Sequence, residues 1–210
     1  MPNNIYRLHF NENPLGPSPK VIEAINGHAP NLGAYPTRDD AKLRHVLAEF
    51  HGNGLTPNHF YSTYSGSEGL DLIARIYLSP GDEGIICKPT FGVYQVTAGW
   101  QNAKIVDVPL DPDHFTLRVD DILAAVNDRT RLIYLGNPNN PTGTIITHDE
   151  MERLYSTLPE EVMIVSDEVY YQFVRNPAYP DSLAAVMADR KVLVLHSFSK
   201  AYGLAGLRVG

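Results

Sequence analysis

The residues best suited to covalent chemistry lie near the end of the chain, around one lysine. Lys200 follows the apolar run of residues 192–195, with Ser197 and Ser199 just before it and Arg208 after it. A lysine amine can form a Schiff base with an aldehyde, whereas serine hydroxyls and a guanidinium bind phosphate oxygens. The group therefore indicates a site for a phosphorylated aldehyde. A strand end with small polar residues and a solvated lysine would show the same pattern. Other motifs are therefore needed to distinguish a binding site from an ordinary strand end.

Further motifs occur where predicted strands end. Gly66 and Ser67 open a predicted helix, whose backbone N–H groups and dipole favour a phosphate. Asn140 lies in a turn stiffened by prolines, which holds its amide in place to donate to a phenolic oxygen. Asp167 follows an apolar run and could keep a pyridine nitrogen protonated. Taken singly, these motifs also fit a plain loop, a rigid turn and a helix N-cap.

The elements that must position these residues alternate between short apolar runs and helix-length segments. The predicted strands are residues 60–64, 84–87, 104–108, 131–135, 162–166, 192–196 and one beginning at 207. The predicted helices are residues 20–26, 39–50, 68–78, 91–101, 119–126 and 148–157. In the first of them Val21, Ile22 and Ile25 are expected to face inward, and in the second Leu43, Val46, Leu47 and Phe50 recur at helical spacing. Thr147 and Glu150 form a capping-box pattern before the last of the predicted helices. This alternation indicates a three-layer α/β/α domain with a mostly parallel sheet, whose ligand site lies at the carboxyl ends of the strands.

Composition limits the class of protein. Of 210 residues, 43% are hydrophobic and 20% charged, as in ordinary globular proteins. The net charge of −7 and the scattered basic residues argue against a nucleic-acid partner. Cys87 is the only cysteine and the histidines are dispersed, so we expect neither a disulfide nor a metal site. Without an apolar stretch of the length a secretory signal or membrane span needs, we expect a cytoplasmic protein with no membrane partner.

Together these motifs resemble the fold type I pyridoxal phosphate aminotransferases, in order and spacing, over nearly the whole chain. The matching residues are Gly66 to Gly69, Asn140, Asp167, Tyr170, Lys200 and Arg208. Residues 11–14, 35–36 and 205–208 look most like the histidinol-phosphate aminotransferase branch. The resemblance implies pyridoxal 5'-phosphate as cofactor. It also implies transamination between an amino acid, such as histidinol phosphate or an aromatic amino acid, and a 2-oxo acid, as in amino-acid biosynthesis.

The resemblance assigns a role to each matching residue. Lys200 would carry the cofactor through a Schiff base and serve as general base and acid, and Asp167 would pair with the ring nitrogen. Asn140 and Tyr170 would hydrogen-bond the phenolic oxygen, and Phe91 would stack on the ring. The phosphate ligands implied are Gly66, Ser67, Ser197, Ser199 and Arg208.

The resemblance also implies a domain organisation and a homodimer. Tyr35 would reach the site of a partner subunit. Residues 1–30 are interpreted as an N-terminal arm with a short helix, and residues 31–210 as the cofactor-binding large domain, incomplete at its C-terminal end. We expect the family's C-terminal small domain, with its arginine for the substrate carboxylate, to be missing from this chain.

Other functions share some of these features. Threonine-phosphate decarboxylases and carbon–sulfur lyases use the same cofactor and motifs, and substrate orientation decides which bond breaks. The same domain serves as an effector-binding module in some DNA-binding regulators, although the acidic charge and the lack of a preceding winged helix speak against that class. A nicotinamide-dependent dehydrogenase would need a Gly-x-Gly-x-x-Gly turn after a strand, which the sequence does not contain.

Overall fold

The computed structural model describes residues 8–37 and 39–210, so the first seven residues of the predicted arm lie outside the described residues. The chain separates into two compact units. One is Gly66–His196, and the other joins the residues up to Ser65 with Ser197–Gly210. The α-helices described are α1 (Pro19–His28), α2 (Ala41–His51), α3 (Gly66–Tyr77), α4 (Val93–Trp100), α5 (Val119–Ala125), α6 (His148–Thr157) and α7 (Ser182–Met187). The strands are β1 (Glu83–Lys88), β2 (Lys104–Pro109), β3 (Thr130–Gly136), β4 (Met163–Asp167) and β5 (Val192–Leu195).

All five strands belong to one parallel sheet within the unit Gly66–His196. Their order in space is β2-β1-β3-β4-β5, so the winding direction reverses between β1 and β3. In open parallel sheets the ligand crevice forms at such a reversal, beyond the carboxyl ends of the strands. The predicted parallel sheet is confirmed, and its topology points to the loops that follow β1 and β3.

Helices cover both faces of the sheet. Because successive strand residues point to opposite faces, Ile85 and Ile133 pack in a cluster with residues of α5, α6 and α7. Their neighbours Ile86 and Tyr134 pack instead with residues of α3 and α4. All four strand residues are almost fully buried. The predicted three-layer α/β/α arrangement is confirmed.

Two predicted strands do not form. Residues 60–64 are irregular, and Ala205–Leu207 form a 3-10 turn instead of leading into a strand. Thr63 and Gly210 exchange two backbone hydrogen bonds of 2.8 and 3.0 Å, but a single pair does not build a ladder. Arg208 adopts φ 55° and ψ 62°, a left-handed conformation that interrupts an extended chain.

The helix of residues 182–187 was not predicted, and two helix faces differ from expectation. Helix α7 spans less than two turns, too short for an apolar period to stand out, and begins where the Asp181 carboxylate accepts from the Ala184 N–H. In α1 the predicted inward residues Ile22 and Ile25 are exposed, because no described residue covers that face. In α2, Val46 and Phe50 are likewise exposed.

No helix among the described residues is long and apolar enough to cross a membrane. Within residues 8–37 and 39–210, no group of three or more His, Cys, Asp or Glu side chains is arranged to hold a metal ion.

Candidate active site

Asp167 ends β4 and is the one carboxylate among the predicted site residues. Its side chain is 5% exposed. The Tyr94 hydroxyl donates to Asp167 Oδ2 at 2.9 Å, and the Val169 N–H donates to Oδ1 at 3.3 Å. Burial raises the pKa of Asp167 to about 6, although the hydrogen bonds from Tyr94 and Val169 oppose that rise. A carboxylate in this setting is suited to a positively charged partner.

The loop after β1 supplies the predicted stacking residue. Phe91 lies just before α4, half-buried, and its ring meets that of Tyr94 edge-on with centroids 5.7 Å apart. Tyr94 is in the first turn of α4, and its hydroxyl reaches Asp167, so Phe91 and Asp167 both contact this tyrosine. Sequence reasoning missed Tyr94. The available signal was its spacing of three residues from Phe91, which puts both residues on one face of the predicted helix 91–101.

The loop after β3 is held by its asparagines. The Asn139 amide donates to Pro89 O at 3.0 Å and to Thr142 Oγ1 at 2.8 Å, and its carbonyl accepts from Thr90 Oγ1 at 2.7 Å. A side chain at Gly136 would lie 2.9 Å from Asn139 Oδ1, so glycine permits this approach. The loop thus joins the ends of β1 and β3.

Asn140 lies next to this bonded asparagine and is half-buried. The preceding Asn137 N–H donates to Asp167 O at 2.8 Å, which ties the loop to the end of β4. The predicted ring ligand Asn140 therefore belongs to a rigid loop attached to Asp167. The contributions of Asn137 and Asn139 were not foreseen.

Gly66 and Ser67 are the first residues of α3, a helix of 12 residues. Ser67 is exposed and Gly66 half-buried, so the first backbone N–H groups of the helix lie near the surface of this unit. The first N–H groups of α3 and the dipole of this helix are suited to an anion.

Tyr170 follows Asp167 on the turn that leads into the 3-10 helix Tyr171–Phe173, and is half-buried. Between them lies Glu168, a buried acid that sequence reasoning did not use. Glu168 accepts from Ser166 Oγ at 2.8 Å, and its other oxygen lies 3.4 Å from His196 Nε2. Asp167 thus has a second carboxylate and an imidazole in its surroundings.

In the other unit, Lys200 lies in a loop that folds back on itself. The Phe198 N–H donates to Val209 O at 3.2 Å, and the Leu204 N–H donates to Phe198 O at 3.1 Å. These bonds bring the segment carrying Ser197, Ser199 and Lys200 beside the segment that carries Arg208. Ser197 and Ser199 are buried, and the Ser199 N–H donates to Ser197 Oγ at 3.0 Å.

The two cations of this loop differ in their surroundings. Lys200 is half-buried and its ammonium donates to Phe10 O at 2.7 Å. Arg208 is exposed and donates to Ala205 O at 3.0 Å. Tyr35, the residue expected to reach a partner subunit, is fully exposed. The predicted residues Ser197, Ser199, Lys200 and Arg208 thus share one loop, and Tyr35 lies apart from it in the chain.

Comparison with known proteins decides the family. The family model "Aminotransferase class I and II" matches residues 3–210. The chain belongs to the class I and II aminotransferases. It is 42% identical over 207 residues to a histidinol-phosphate aminotransferase of Ruegeria pomeroyi, covering 99% of this chain and 56% of that protein. A Staphylococcus aureus histidinol-phosphate aminotransferase is 41% identical over 211 residues, covering 99% and 58%.

Solved structures agree with this aminotransferase assignment. A putative histidinol-phosphate aminotransferase from Erwinia carotovora atroseptica superposes with a TM-score of 0.90 at 31% identity, covering 99% of this chain and 60% of that chain. The histidinol-phosphate aminotransferase of Sinorhizobium meliloti, solved in complex with pyridoxal-5'-phosphate, gives a TM-score of 0.86 at 28% identity over 95% and 53%. The predicted resemblance to this branch is confirmed. The chain spans a little over half the length of these relatives.

Proposed function

We propose that the protein is a pyridoxal-phosphate-dependent aminotransferase that moves an amino group from an amino compound to a 2-oxo acid. The observation that carries the proposal is the environment of the buried Asp167 carboxylate. Its hydrogen-bond donors in the described chain, the Tyr94 hydroxyl and the Val169 N–H, are both neutral. A buried carboxylate with a raised pKa is stabilised as an anion by a cation, and a protonated ring nitrogen supplies one.

The other residues suit the remaining groups of this cofactor. The α3 N-terminus, the buried serines and Arg208 suit a phosphate, and the Asn140 amide and the Tyr170 hydroxyl suit a phenolic oxygen. Phe91 offers an aromatic face, and Lys200 offers a primary amine for an aldehyde. The residues assigned to the cofactor are Gly66, Ser67, Phe91, Asn140, Asp167, Tyr170, Ser197, Ser199, Lys200 and Arg208.

These residues divide the work of transamination. When bound, pyridoxal phosphate supplies a ring that withdraws electrons from the substrate Cα. Lys200 Nζ would hold the aldehyde carbon of the cofactor, and as a free amine it would carry the proton that leaves the substrate Cα. Asp167 keeps negative charge beside the ring nitrogen. The proposed phosphate ligands would hold the cofactor through its phosphate group.

Histidinol phosphate is the amino donor we propose first, because the relatives in Ruegeria and Staphylococcus are histidinol-phosphate aminotransferases.

The proposal includes a homodimer in which Tyr35 contributes to the partner's site. It is supported by the full exposure of Tyr35 and by the exposed apolar residues Val46 and Phe50 on α2. We further propose residues 31–210 as the cofactor-binding domain behind an arm of residues 1–30. The cytoplasm is the proposed location, since the only cysteine is buried and unpaired.

The donor is tested with purified protein loaded with pyridoxal phosphate and mixed with one amino compound at a time. Histidinol phosphate, glutamate, an aromatic amino acid and threonine phosphate are compared by mass spectrometry of the products. We expect histidinol phosphate to give its carbonyl product at one equivalent per site, and continuous turnover once 2-oxoglutarate is added. Lys200→Ala should abolish this product, whereas Lys191→Ala, at an exposed lysine just before β5, should not.

Two results would contradict the proposal. Release of carbon dioxide from threonine phosphate would identify a decarboxylase with the same cofactor. Failure of every amino donor, together with tight binding of an unreacted ligand, would favour an effector-binding module.

A further inference from the structure

Tyr94 is buried, and the proposed transamination assigns it no role. It is 1% exposed, and its ring stacks on Tyr134 with centroids 5.2 Å apart and planes inclined by 13°. Its hydroxyl donates to Asp167 Oδ2 at 2.9 Å, and its ring edge meets Phe91. Tyr94 therefore connects the residue proposed to stack on the cofactor ring with the residue proposed to pair with the ring nitrogen.

The neighbouring Tyr134 shows that the Tyr94 hydrogen bond is specific. Tyr134 is equally buried, at 1% exposed, yet its hydroxyl has no hydrogen-bond partner among the described residues. The two stacked rings thus share one apolar layer, but only the Tyr94 hydroxyl reaches a carboxylate. A hydrogen bond to a charged acceptor is stronger than one between neutral groups.

Several groups act on the charge of Asp167. Burial raises its pKa, the Tyr94 hydroxyl and the Val169 N–H lower it, Glu168 raises it and His196 lowers it. Tyr179 also faces this carboxylate. Burial and Asp167 raise the pKa of Tyr94 well above its usual value, so Tyr94 keeps its proton and remains a donor. Among the groups that favour the anion, the Tyr94 hydroxyl has the largest effect.

We propose that Tyr94 is a positioning residue, whose hydroxyl holds the Asp167 carboxylate in one orientation and keeps it ionised for a protonated ring nitrogen. The consequence for the cofactor rests on the proposed function. The contact between phenol and carboxylate belongs to the cofactor-free protein and can be tested without it.

The first test measures the ionisation of Asp167 in cofactor-free protein. Aspartate labelled with carbon-13 in its side-chain carboxyl is followed by NMR across pH, and the Asp167 signal is assigned by its loss in Asp167→Asn. Tyr94→Phe should give Asp167 an acid dissociation constant about tenfold smaller, the low end for a hydrogen bond to a charged group. Tyr134→Phe, the matched control, removes an unpartnered hydroxyl from the same stack and should leave the titration unchanged.

A second substitution works in the opposite direction. Incorporation of 3-fluorotyrosine at position 94 makes the phenol a better donor with little change in shape, and should move the Asp167 titration to lower pH. The 3-fluorotyrosine protein tests the role of the Tyr94 hydroxyl even if Tyr94→Phe does not fold.

The consequence for binding is measured as the dissociation constant of pyridoxal 5'-phosphate at two pH values. With the pKa of Asp167 at about 6, a tenfold change reduces its ionised fraction at pH 6 from about one half to about one tenth. Tyr94→Phe should therefore bind about fivefold more weakly than wild type at pH 6, and almost equally at pH 8.

Equal Asp167 titrations in wild type and Tyr94→Phe would overturn the proposal, as would a 3-fluorotyrosine protein with an unchanged titration. An equal loss of affinity at both pH values would assign Tyr94 to packing alone. If wild-type protein fails to bind pyridoxal phosphate, the proposed function fails, while the carboxyl titration still decides the role of Tyr94.

Discussion

The ionisation of Asp167 depends strongly on its surroundings. It ends β4, almost excluded from solvent, and burial raises its pKa to about 6. The folded protein therefore binds the Asp167 proton more tightly than the unfolded chain does. Between the ordinary pKa of about 4 and the folded pKa, the stability that the protonated group contributes is lost as pH rises. A cationic ligand beside the carboxylate would restore it.

Replacement of Asp167 by asparagine tests the free-energy cost of burying the charged carboxylate. In cofactor-free protein, Asp167→Asn should gain stability over wild type as pH rises from about 4 to 7, by up to about 3 kcal/mol, because the neutral amide has no charge to bury. Urea unfolding at both ends of this range measures the difference. Asp113→Asn, at an exposed aspartate, is the control for removal of a carboxylate from the surface. A stability difference between Asp167→Asn and wild type that stays constant with pH would contradict the buried anion.

The site residues predicted from sequence were those with unusual functional groups at strand ends. Lys200, Asp167 and Asn140 stand out because their types suit particular chemistry. Tyr94 and Asn139 did not stand out, because an aromatic residue in a helix or a second asparagine in a turn is ordinary. Tyr94 bonds to a residue 73 positions away, and Asn139 to residues 49 and 50 positions away. No local sequence pattern encodes such distant hydrogen bonds.

At the scale of elements, the segment before α1 packs tightly against the loop after Lys200. The Asn13 amide donates to Ala201 O at 3.0 Å. Gly203 has φ 69°, and a side chain there would lie 2.4 Å from the carbonyl carbon of Gly16 and 2.5 Å from its oxygen. Such contacts with backbone cannot be relieved by a change of rotamer, so this packing requires glycine at position 203.

Gly203→Ala should therefore disrupt the contact between arm and loop. We expect a loss of about 1–2 kcal/mol from the left-handed conformation and a further 1–3 kcal/mol from displacement of the arm. Gly16→Ala is a matched control, since Gly16 has φ 68° but a side chain there would meet nothing within 4 Å. Guanidinium unfolding compares the two variants, with hydrogen exchange in the arm as a second measure. Equal destabilisation by the two substitutions would show that backbone conformation alone matters.

Helices and strands were predicted correctly where a local sequence signal was supported by a neighbouring element in the fold. The capping box of α6 forms as expected, with the Thr147 N–H donating to Glu150 Oε2 at 2.8 Å. Residues 60–64 have the aromatic and β-branched composition common in strands, but Thr63 pairs with Gly210 alone and no ladder develops. Strand formation needs a partner over several residues, and the sequence of one segment does not reveal whether a partner exists.

At the scale of the whole molecule, the parallel sheet brings distant parts of the sequence to one edge. Phe91 follows β1, Asn140 follows β3, and Asp167 ends β4. The winding reversal between β1 and β3 lies at this edge, where parallel sheets form ligand crevices. The alternation of strands and helices made this arrangement predictable, and the class I and II aminotransferases share it.

The central claim is that Lys200 carries the cofactor aldehyde, and covalent labelling tests it most directly. Protein loaded with pyridoxal phosphate is reduced with borohydride, digested and mapped by mass spectrometry. Because Lys200 lies between the proposed phosphate ligands Ser199 and Arg208, we expect one pyridoxyl group per chain, on Lys200. Pyridoxyl on Lys42, Lys88, Lys104 or Lys191 instead, with Lys200 unmodified, would contradict the assignment.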